Sequence, residues 1–397
     1  MPLVAAAFTG RGRRWHRGVD VTGAADSLPR PASCPATPVA VPIAAAVQVA
    51  AALAEVGPEW DPLLAGAGFQ SSRAWFEALV AAALPPGTQP QFWMIGAGGR
   101  PLLLLPMMAG PGRRLCSLTT AYTTLFQPLA APGATDAELH AAGAAAGRLC
   151  RAWPHATLEA LDPDWPGLPS FLAGLRAAGL GVRRYLHFGN WHEPVATWDA
   201  YLASRPGPLR ETIRRKSRAC ARMPEVRIEV VSGGGALAPA LEAYESVYAR
   251  SWKQPEPAPG LAAALLPRAA AAGALRLGVM WSGSQPVAAQ YWTVRNGVAT
   301  VLKLAHDDAW RALSPGTVLT AHMIRWLIAE DRVQDLDFGR GDDAYKQSWA
   351  SLRRQRIGVL AAPVWRPHGA AVLFRHDIGK MLRGLRRLAT TTNYKPS

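Results

Sequence analysis

The sequence predicts a mixed α/β fold, built as two successive units of similar element order. A chain of 397 residues is too long for one ordinary core, and at 49% hydrophobic and 18% charged residues it can bury two. Strand patterns alternate with amphipathic helix patterns along most of the chain, which is typical of α/β domains. The two halves present these patterns in a similar order, which indicates a duplicated fold.

Four segments follow from this reading. Residues 1–38 are rich in Arg, Gly and Pro without periodicity, and we predict a disordered leader. The first α/β domain is expected at 39–192 and the second at 193–365. Residues 366–397 form a basic tail whose apolar residues fall on one side of a helix over 374–388.

The first domain is predicted to open with a strand and a helix that carries Trp60, followed by a helix over 72–83. A hairpin joins 92–95 to 102–108 through a Gly-rich turn. After it come a helix at 137–153, a strand at 157–161 and a helix at 168–178 that ends at Gly179.

The second domain repeats this pattern. Helices are predicted at 197–204 and 210–223, a strand at 226–231, and helices at 237–252 and 260–272. A hairpin pairs 275–281 with 287–294. The strand 298–305, the helix 316–329 and the strand 334–338 complete the unit.

The formal charge of +15 is weak evidence for a nucleic-acid partner. The excess lies in three segments, 1–36, 205–222 and 366–397, and the rest of the chain is balanced. Only six of the 43 basic residues are Lys, so the Arg content resembles coding bias. The four cysteines lack C-x-x-C spacing, which favours free thiols over disulfides or zinc.

No export signal or membrane span is predicted, because the apolar stretch 39–54 is mostly Ala and is interrupted by Pro42 and Gln48. We therefore expect a cytoplasmic protein. The basic tail leaves two interpretations open, docking on its own domain and peripheral contact with an anionic membrane, of which docking is favoured.

Ser314, Pro315, Gly316 and Thr317 begin a long helix pattern. A helix start presents unpaired backbone N–H groups and the positive end of the helix dipole, which suit a phosphate or pyrophosphate. The same residues are equally typical of a plain helix cap.

Asp337 ends a mostly apolar strand and is followed by Gly339, Gly341 and Asp342. A carboxylate there must be paired or face a cleft, where it could hold an acceptor or act as a general base. The glycines let the backbone approach a ligand. The alternative is an ordinary strand-to-loop turn.

Lys346, next to Tyr345, draws interest because Lys is so scarce in this chain. A cation here could stabilise an oxyanion, and the alternative is a solvated side chain. Arg214 and Arg215 belong to a helical Arg series that suits a phosphate or acidic saccharide, or only solvent. The histidines show neither metal-ligand spacing nor a serine-hydrolase elbow, so no metal cofactor is expected.

Three blocks in one order resemble the CelD-like acetyltransferase family, a branch of the GNAT superfamily related to the FemAB peptidyltransferases. The blocks are Arg210 to Lys216, Ser314-Pro315-Gly316, and Asp337-Phe338-Gly339 leading to Tyr345-Lys346. A weaker similarity lies in Trp60, Leu63, Phe69-Gln70-Ser71 and Trp75-Phe76. The resemblance spans roughly 45–355, and its helix start has one Gly where the superfamily has a Gly-rich loop.

The resemblance implies tandem GNAT-like acyl-CoA N-acyltransferase domains, with acyl-CoA, most often acetyl-CoA, as co-substrate. It implies pyrophosphate binding at 314–317, roles for Asp337, Tyr345 and Lys346 in catalysis, and an acceptor that is a sugar, polysaccharide precursor or cell-envelope component. Two alternatives stay open. One is aminoacyl transfer from tRNA, although no long coiled-coil arm is present, and the other is a non-catalytic scaffold of an envelope complex.

Overall fold

The structure is a computed structural model that describes residues 43–66 and 68–392, with side chains described as far as Leu382. The predicted leader lies outside the described residues. The described part holds thirteen strands and eleven α-helices. The strands are β1 (Ala45–Ala50), β2 (Gln89–Ala97), β3 (Arg100–Gly110), β4 (Arg114–Ser117), β5 (Leu129–Ala130), β6 (Ala156–Leu161), β7 (Leu180–Pro194), β8 (Val226–Val231), β9 (Leu275–Ser282), β10 (Gln285–Arg295), β11 (Val298–His306), β12 (Asp335–Arg340) and β13 (Leu352–Pro363).

The helices alternate with these strands. They are α1 (Asp61–Ala65), α2 (Arg73–Ala82), α3 (Asp136–Cys150), α4 (Leu168–Ala177), α5 (Trp198–Ala203), α6 (Gly207–Ala221), α7 (Leu237–Ala249), α8 (Leu261–Ala271), α9 (Pro315–Ala329), α10 (Ala344–Trp349) and α11 (Pro367–Thr392). The predicted mixed α/β fold is confirmed, and both predicted hairpins are present as β2–β3 and β9–β10.

All the strands belong to one sheet, in the order β1-β2-β3-β4-β6-β13-β7-β12-β11-β10-β9-β8, with β5 paired to β3. Its pairs are antiparallel except β4 with β6 and β11 with β12. Each parallel pair is joined through a helix, α3 in the first half and α9 in the second. The sheet is therefore mixed, and its two parallel pairs lie at corresponding places.

The element order repeats, as predicted. β1 to β4, α3 and β6 of the first half correspond in order and pairing to β8 to β11, α9 and β12 of the second. The final strands of the two halves are exchanged: β13 lies between β6 and β7, and β7 lies between β13 and β12. The division into separate domains at 192 and 193 stays a prediction, while the sheet itself runs without interruption through both halves.

The sequence patterns did not predict β7, β13 or the short helix α10. β7 and β13 pair over Leu180 to His192 and form the centre of the sheet. β7 is interspersed with Arg, His and Asn, and β13 carries three Arg and a Gln near its start before a continuous apolar run, so neither shows the hydrophobic alternation by which strands are recognised. Polar side chains of these strands are instead paired across the sheet, as Arg354 is with Asn190 at 2.5 Å and with Asp337 at 2.6 Å.

Apolar clusters cover both faces of the sheet. On one face, α2 of the first half packs with α8 of the second, and Phe76 and Leu265 belong to the same buried cluster. On the opposite face of the second half, α9 packs against β9, β10 and β11 with Met323 and Ile324 fully buried. The halves therefore share a core as well as a sheet.

The tail helix α11 begins at Pro367, before the predicted start. Leu373 is buried against β13, and the Arg183 guanidinium on β7 binds Asp377 with both Asp oxygens accepting from Nε at 2.9 and 3.0 Å. These contacts dock the first part of the helix, while Phe374 is exposed. Among the described residues, no helix combines the length and apolar character needed to cross a bilayer.

Candidate active site

The parallel strands β11 and β12 part after three paired residues. Val298, Ala299 and Thr300 face Asp335, Leu336 and Asp337, and the pairing stops there. A bulge at Leu302 also interrupts the pairing of β11 with β10. The gap opens into a cleft of about 800 Å³ at the N-terminus of α9. Crevices at the carboxyl ends of parallel strands are where α/β proteins bind ligands.

The N-terminus of α9 faces this cleft with an open backbone donor. Ser314 lies in the left-handed region, with φ 50° and ψ 52°, and its side chain makes no capping hydrogen bond. Its carbonyl accepts from Thr317 N at 3.0 Å and Val318 N at 3.1 Å. Among the described residues, nothing accepts a hydrogen bond from Gly316 N. The plain helix-cap interpretation is therefore not supported, and the turn is free to hold an anion.

Gly316 packs closely against its neighbour His306. A Cβ at this position would lie 3.1 Å from His306 Nδ1, a nitrogen that is buried without a hydrogen-bond partner within the described structure. The His306 ring packs on Trp252 with 4.2 Å between ring centroids. Burial lowers the pKa of His306, against the opposing effect of Asp308. Both rings line the cleft, as Ser314 and Gly316 of the helix start also do.

Tyr345 and Lys346 reach the cleft from α10. The Tyr345 hydroxyl lies 3.5 Å from Thr320 Oγ1, one turn inside α9, and although 45% of the residue is exposed, desolvation of the hydroxyl raises its pKa to about 12. Lys346 Nζ donates to the Arg340 carbonyl and lies 3.4 Å from Asp343. Burial lowers the pKa of Lys346, while Asp343 opposes that shift.

Asp337 lies within the sheet beside the cleft and does not line it. Its carboxylate accepts hydrogen bonds from Arg354 Nη2 at 2.6 Å, Gly339 N at 2.7 Å and Asn190 Nδ2 at 2.8 Å. These partners come from β13, β12 and β7, so Asp337 ties three strands together. The predicted catalytic role of Asp337 stays a prediction, and the contacts place it as a structural anchor.

The glycines after Asp337 differ in position. Gly339 lines the cleft with φ +72°, and a Cβ there would lie 3.1 Å from the Val301 carbonyl, so the backbone passes close to β11. Gly341, with φ +108°, and Asp342 lie beyond the cleft lining. Asp342 is bound by Arg353 at 2.6 and 2.8 Å, which holds the pKa of that carboxyl below its usual range.

Arg214 and Arg215 lie on the exposed face of α6 and do not line the cleft. Their neighbour Lys216 reaches the segment before α9, where Nζ donates to the Ala312 carbonyl. The basic helix is therefore fixed beside the open helix start. Whether its two arginines bind a ligand is a prediction that the contacts leave open.

Sequence reasoning missed several residues of the cleft. Lys253, Lys303, Arg311, Gln290 and Trp292 all line it. With Lys346, three of the six Lys in the chain meet here, so the scarcity that drew attention to Lys346 was a signal for the others too. Gln290 and Trp292 gave no such signal, because their sequence context is an ordinary buried strand.

A second pocket, of about 340 Å³, adjoins the cleft on the other face of the sheet and shares Tyr122 and Lys253 with it. Tyr244, Tyr248 and Tyr291 contribute to its lining. Near its centre, the Glu256 carboxylate accepts from Tyr122 OH at 2.5 Å and Lys303 Nζ at 2.7 Å. Burial lowers the pKa of Lys253 to about 8, and Lys303 adds to that shift.

The corresponding place in the first half is closed. The N-terminus of α3 is satisfied by a capping box, in which Thr135 Oγ1 accepts from Glu138 N and Glu138 accepts from Thr135 N. Phe126, 2% exposed, pairs as an isolated bridge with Leu161 beside β6. The loop that carries Phe126 also supplies Tyr122 and Thr124 to the cleft of the second half. At this corresponding place the first half thus has a closed helix start, and its loop contributes a wall to the cleft of the second half.

Comparisons with known proteins match part of this chain to a known family. Residues 208–347 match the family described as "Acetyltransferase (GNAT) domain", and no curated protein matches the chain. Within the described residues, no group of three or more His, Cys, Asp or Glu side chains could hold a metal ion.

Three solved structures illustrate the fold similarity. FemX is 11% identical with a TM-score of 0.51, covering 74% of this chain and 91% of its own. A tandem GNAT protein from the clavulanic acid biosynthesis pathway is 15% identical with a TM-score of 0.47, covering 80% and 99%. L-PGS from Bacillus licheniformis is 13% identical with a TM-score of 0.45, covering 70% and 85%. Only the first is close enough to bear on the fold, and it concerns the fold alone.

The family match contains nearly all of α6, the tyrosine-lined pocket except for Tyr122, the parting strands β11 and β12, the open start of α9 and most of α10. Every cleft residue that the sequence predicted lies inside it. Residues 208–347 therefore match a GNAT acetyltransferase domain, and this match supports an acyltransferase.

Proposed function

We propose that the protein transfers an acyl group, most often acetyl, from acyl-CoA to an amine or hydroxyl, and that it does so in the cytoplasm. One observation carries the proposal: the open helix start at Gly316 lies where β11 and β12 part. An extended thioester cofactor arm can enter such a gap between strands while its phosphates rest at the helix N-terminus.

The pyrophosphate is assigned to Gly316 N–H and the positive end of the α9 dipole. Arg311 lines the cleft in the segment immediately before the helix, and Lys216 is fixed to the adjacent Ala312 carbonyl. Both side chains carry positive charge, so they add electrostatic attraction for the phosphates of the co-substrate. The charges of the cleft therefore fit the phosphate end of the co-substrate.

The proposed chemistry is direct attack, with no acyl-enzyme. The acceptor nitrogen or oxygen bonds to the thioester carbon, the carbon–sulfur bond breaks, and the leaving sulfur takes a proton while the acceptor loses one. Burial raises the pKa of Tyr345 to about 12, so its phenol is protonated. It can pass that proton to sulfur while the proton lost by the acceptor replaces it on the phenol oxygen. Lys346, on the same short helix, supplies positive charge near the reacting atoms.

We assign the acceptor to the tyrosine-lined pocket, which shares Tyr122 and Lys253 with the cleft. This pocket opens on the sheet face opposite α9, so an acceptor would approach the thioester from the side away from the phosphates. Aromatic walls and hydroxyl groups suit a sugar ring, in agreement with the resemblance to CelD-like enzymes of polysaccharide precursors. Arg214 and Arg215 remain candidates for binding an extended anionic acceptor.

The experiment measures acetyl-CoA binding by calorimetry and thermal shift in the unaltered chain and in Gly316→Trp. We expect binding with a clear rise in Tm, and its loss in the variant, because the indole must occupy the space between the helix start and His306. Ala137→Trp is the matched control, since Ala137 holds the same helical position at the start of α3 and is exposed.

Four outcomes separate the alternatives. Binding that survives Gly316→Trp would place the phosphates elsewhere and contradict the site. Failure of the unaltered chain to bind any acyl-CoA would contradict the function, and a response to aminoacyl-tRNA instead would favour aminoacyl transfer. Absence of any response to either donor would favour the scaffold.

A further inference from the structure

Two side chains on β10 present buried N–H groups at the cleft without a partner. Gln290 Nε2 and Trp292 Nε1 have no hydrogen-bond acceptor within the described structure, and both residues are 0% exposed. Positions 290 and 292 alternate along the strand, so both point to the α9 face, and both line the cleft. Buried donors are usually satisfied. Other unpartnered N–H groups occur in the described structure, as at Trp75 and Trp349, but Gln290 and Trp292 line a cleft, which points to an acceptor supplied by a ligand.

The surroundings hold both groups in place. Gln290 Oε1 lies 3.4 Å from Thr320 Oγ1, and the Trp292 ring packs edge-on against Phe338 with 6.0 Å between centroids. The donors are thus fixed before any ligand arrives, which is the property that electrostatic stabilisation of a transition state requires.

We propose that Gln290 Nε2 and Trp292 Nε1 hold the carbonyl oxygen of the acyl thioester and stabilise the negative charge that develops on it. The inference rests on the proposed function and deepens it, by assigning the side chains that touch the reacting carbonyl. As the acceptor attacks, the carbonyl π electrons move onto oxygen, and they return when the carbon–sulfur bond breaks.

The position of Thr320 links this assignment to the leaving group. Thr320 Oγ1 lies 3.4 Å from the Gln290 amide and 3.5 Å from the Tyr345 hydroxyl. The proposed oxyanion donor and the proposed proton donor for sulfur therefore flank one residue. In a thioester the oxygen and sulfur are bonded to the same carbon, so their partners must lie this close together.

The N–H groups of Gln290 and Trp292 are neutral, which suits a carbonyl oxygen better than a phosphate.

The test compares two ligands that differ only in the carbonyl, acetyl-CoA and its thioether analogue S-ethyl-CoA. We expect the unaltered protein to prefer acetyl-CoA by roughly tenfold in Kd, the contribution of one or two hydrogen bonds. Gln290→Met removes the donor at similar volume and should erase most of the preference while leaving S-ethyl-CoA affinity unchanged. Trp292→Phe should reduce the preference in the same direction and keeps the aromatic packing.

Thr293→Val is the matched control. Thr293 follows on the same strand, is 2% exposed and also has an unpartnered hydroxyl among the described residues, but it does not line the cleft. Its removal should leave the preference intact. Equal affinity of the unaltered protein for the two ligands, or a preference that survives both Gln290→Met and Trp292→Phe, would overturn this inference alone. Failure to bind either ligand would overturn the proposed function with it.

Discussion

Asp337 is held in place by an ion pair with one of its oxygens and by two hydrogen bonds to the other. Its side chain is 6% exposed, and Arg354, whose side chain is 30% exposed, binds it at 2.6 Å while Asn190 and the Gly339 amide occupy the other oxygen. An amide in its place would keep the shape but lose the charge, and its NH₂ group would face donors. Such a substitution therefore weakens the contacts that join β7, β12 and β13 and has a smaller effect on the cleft.

We expect Asp337→Asn to lower the free energy of unfolding by about 2 kcal/mol, the scale of hydrogen bonds to a buried charged group. Acetyl-CoA affinity of the folded variant should change little, because the carboxylate does not line the cleft. Urea unfolding and calorimetry measure the two quantities. Loss of turnover with unchanged stability would instead support the predicted role of Asp337 as a base.

Lys253 makes the cleft sensitive to pH. Its pKa is lowered to about 8 by burial, with Lys303 adding to the effect, so its charge disappears as pH rises through that value. Affinity for the polyanionic acyl-CoA should fall by up to about fivefold between about pH 7 and pH 9. Binding near pH 8 should take up protons, visible in calorimetry as a dependence on buffer ionisation enthalpy.

The matched variant Lys253→Met should make both ligand affinity and proton uptake independent of pH in this range. An unchanged pH profile would argue against a charged Lys253 near the ligand.

Lys253 affects stability in the opposite direction to ligand affinity as pH rises. Between the folded pKa of about 8 and the higher pKa of an unfolded Lys, the unfolded chain binds more protons, so this group makes the free energy of unfolding rise with pH.

At the scale of elements, α3 and α9 each connect a pair of parallel strands, but the unpaired backbone N–H groups at their N-termini are treated differently. The start of α3 is closed by the side chains of Thr135 and Glu138, whereas Ser314 leaves the start of α9 open. Thr135→Ala should lower the free energy of unfolding by about 1 kcal/mol, and Ser314→Ala should change it by less than about 0.5 kcal/mol. Urea unfolding distinguishes the two, and a cap-sized loss at Ser314 would mean that the helix start is closed in solution.

Elements set by local sequence signals could be predicted, whereas elements that depend on partners from distant parts of the chain could not. The hairpin turn before β3 and the Pro and Gly of α9 act locally, so those elements follow from the sequence. β7 and β13 do not, because Asn190 and Arg354 are polar residues satisfied only by partners brought from distant parts of the chain. At the site, Gly316, Tyr345 and Lys346 were predicted and meet in the cleft. Gln290 was missed because its missing acceptor is visible only once the fold surrounds it.

At the scale of the molecule, the exchange of final strands makes each half depend on the other. The first half ends in β7, whose edge is paired with β12 of the second, and the second half ends in β13, which separates β6 from β7. The loop with Tyr122 from the first half walls the cleft of the second, while Gln70 accepts from Thr124 N and Oγ1 at 2.8 Å to hold it there. One open site per chain is the expected result of this arrangement.

Stability should therefore be cooperative across both halves. We expect one unfolding transition in urea, with coincident curves from variants that keep a single fluorescent reporter at Trp75 of the first half or Trp292 of the second, since both are 0% exposed. Two separated transitions would instead support independent domains divided at 192 and 193.

A chain ending after Trp349 lacks β13 and leaves the facing edges of β6 and β7 unpaired at the centre of the sheet. It should lose the cooperative transition altogether, whereas a chain ending after Arg366 retains every strand and should keep it, although without the Leu373 and Asp377 contacts of α11.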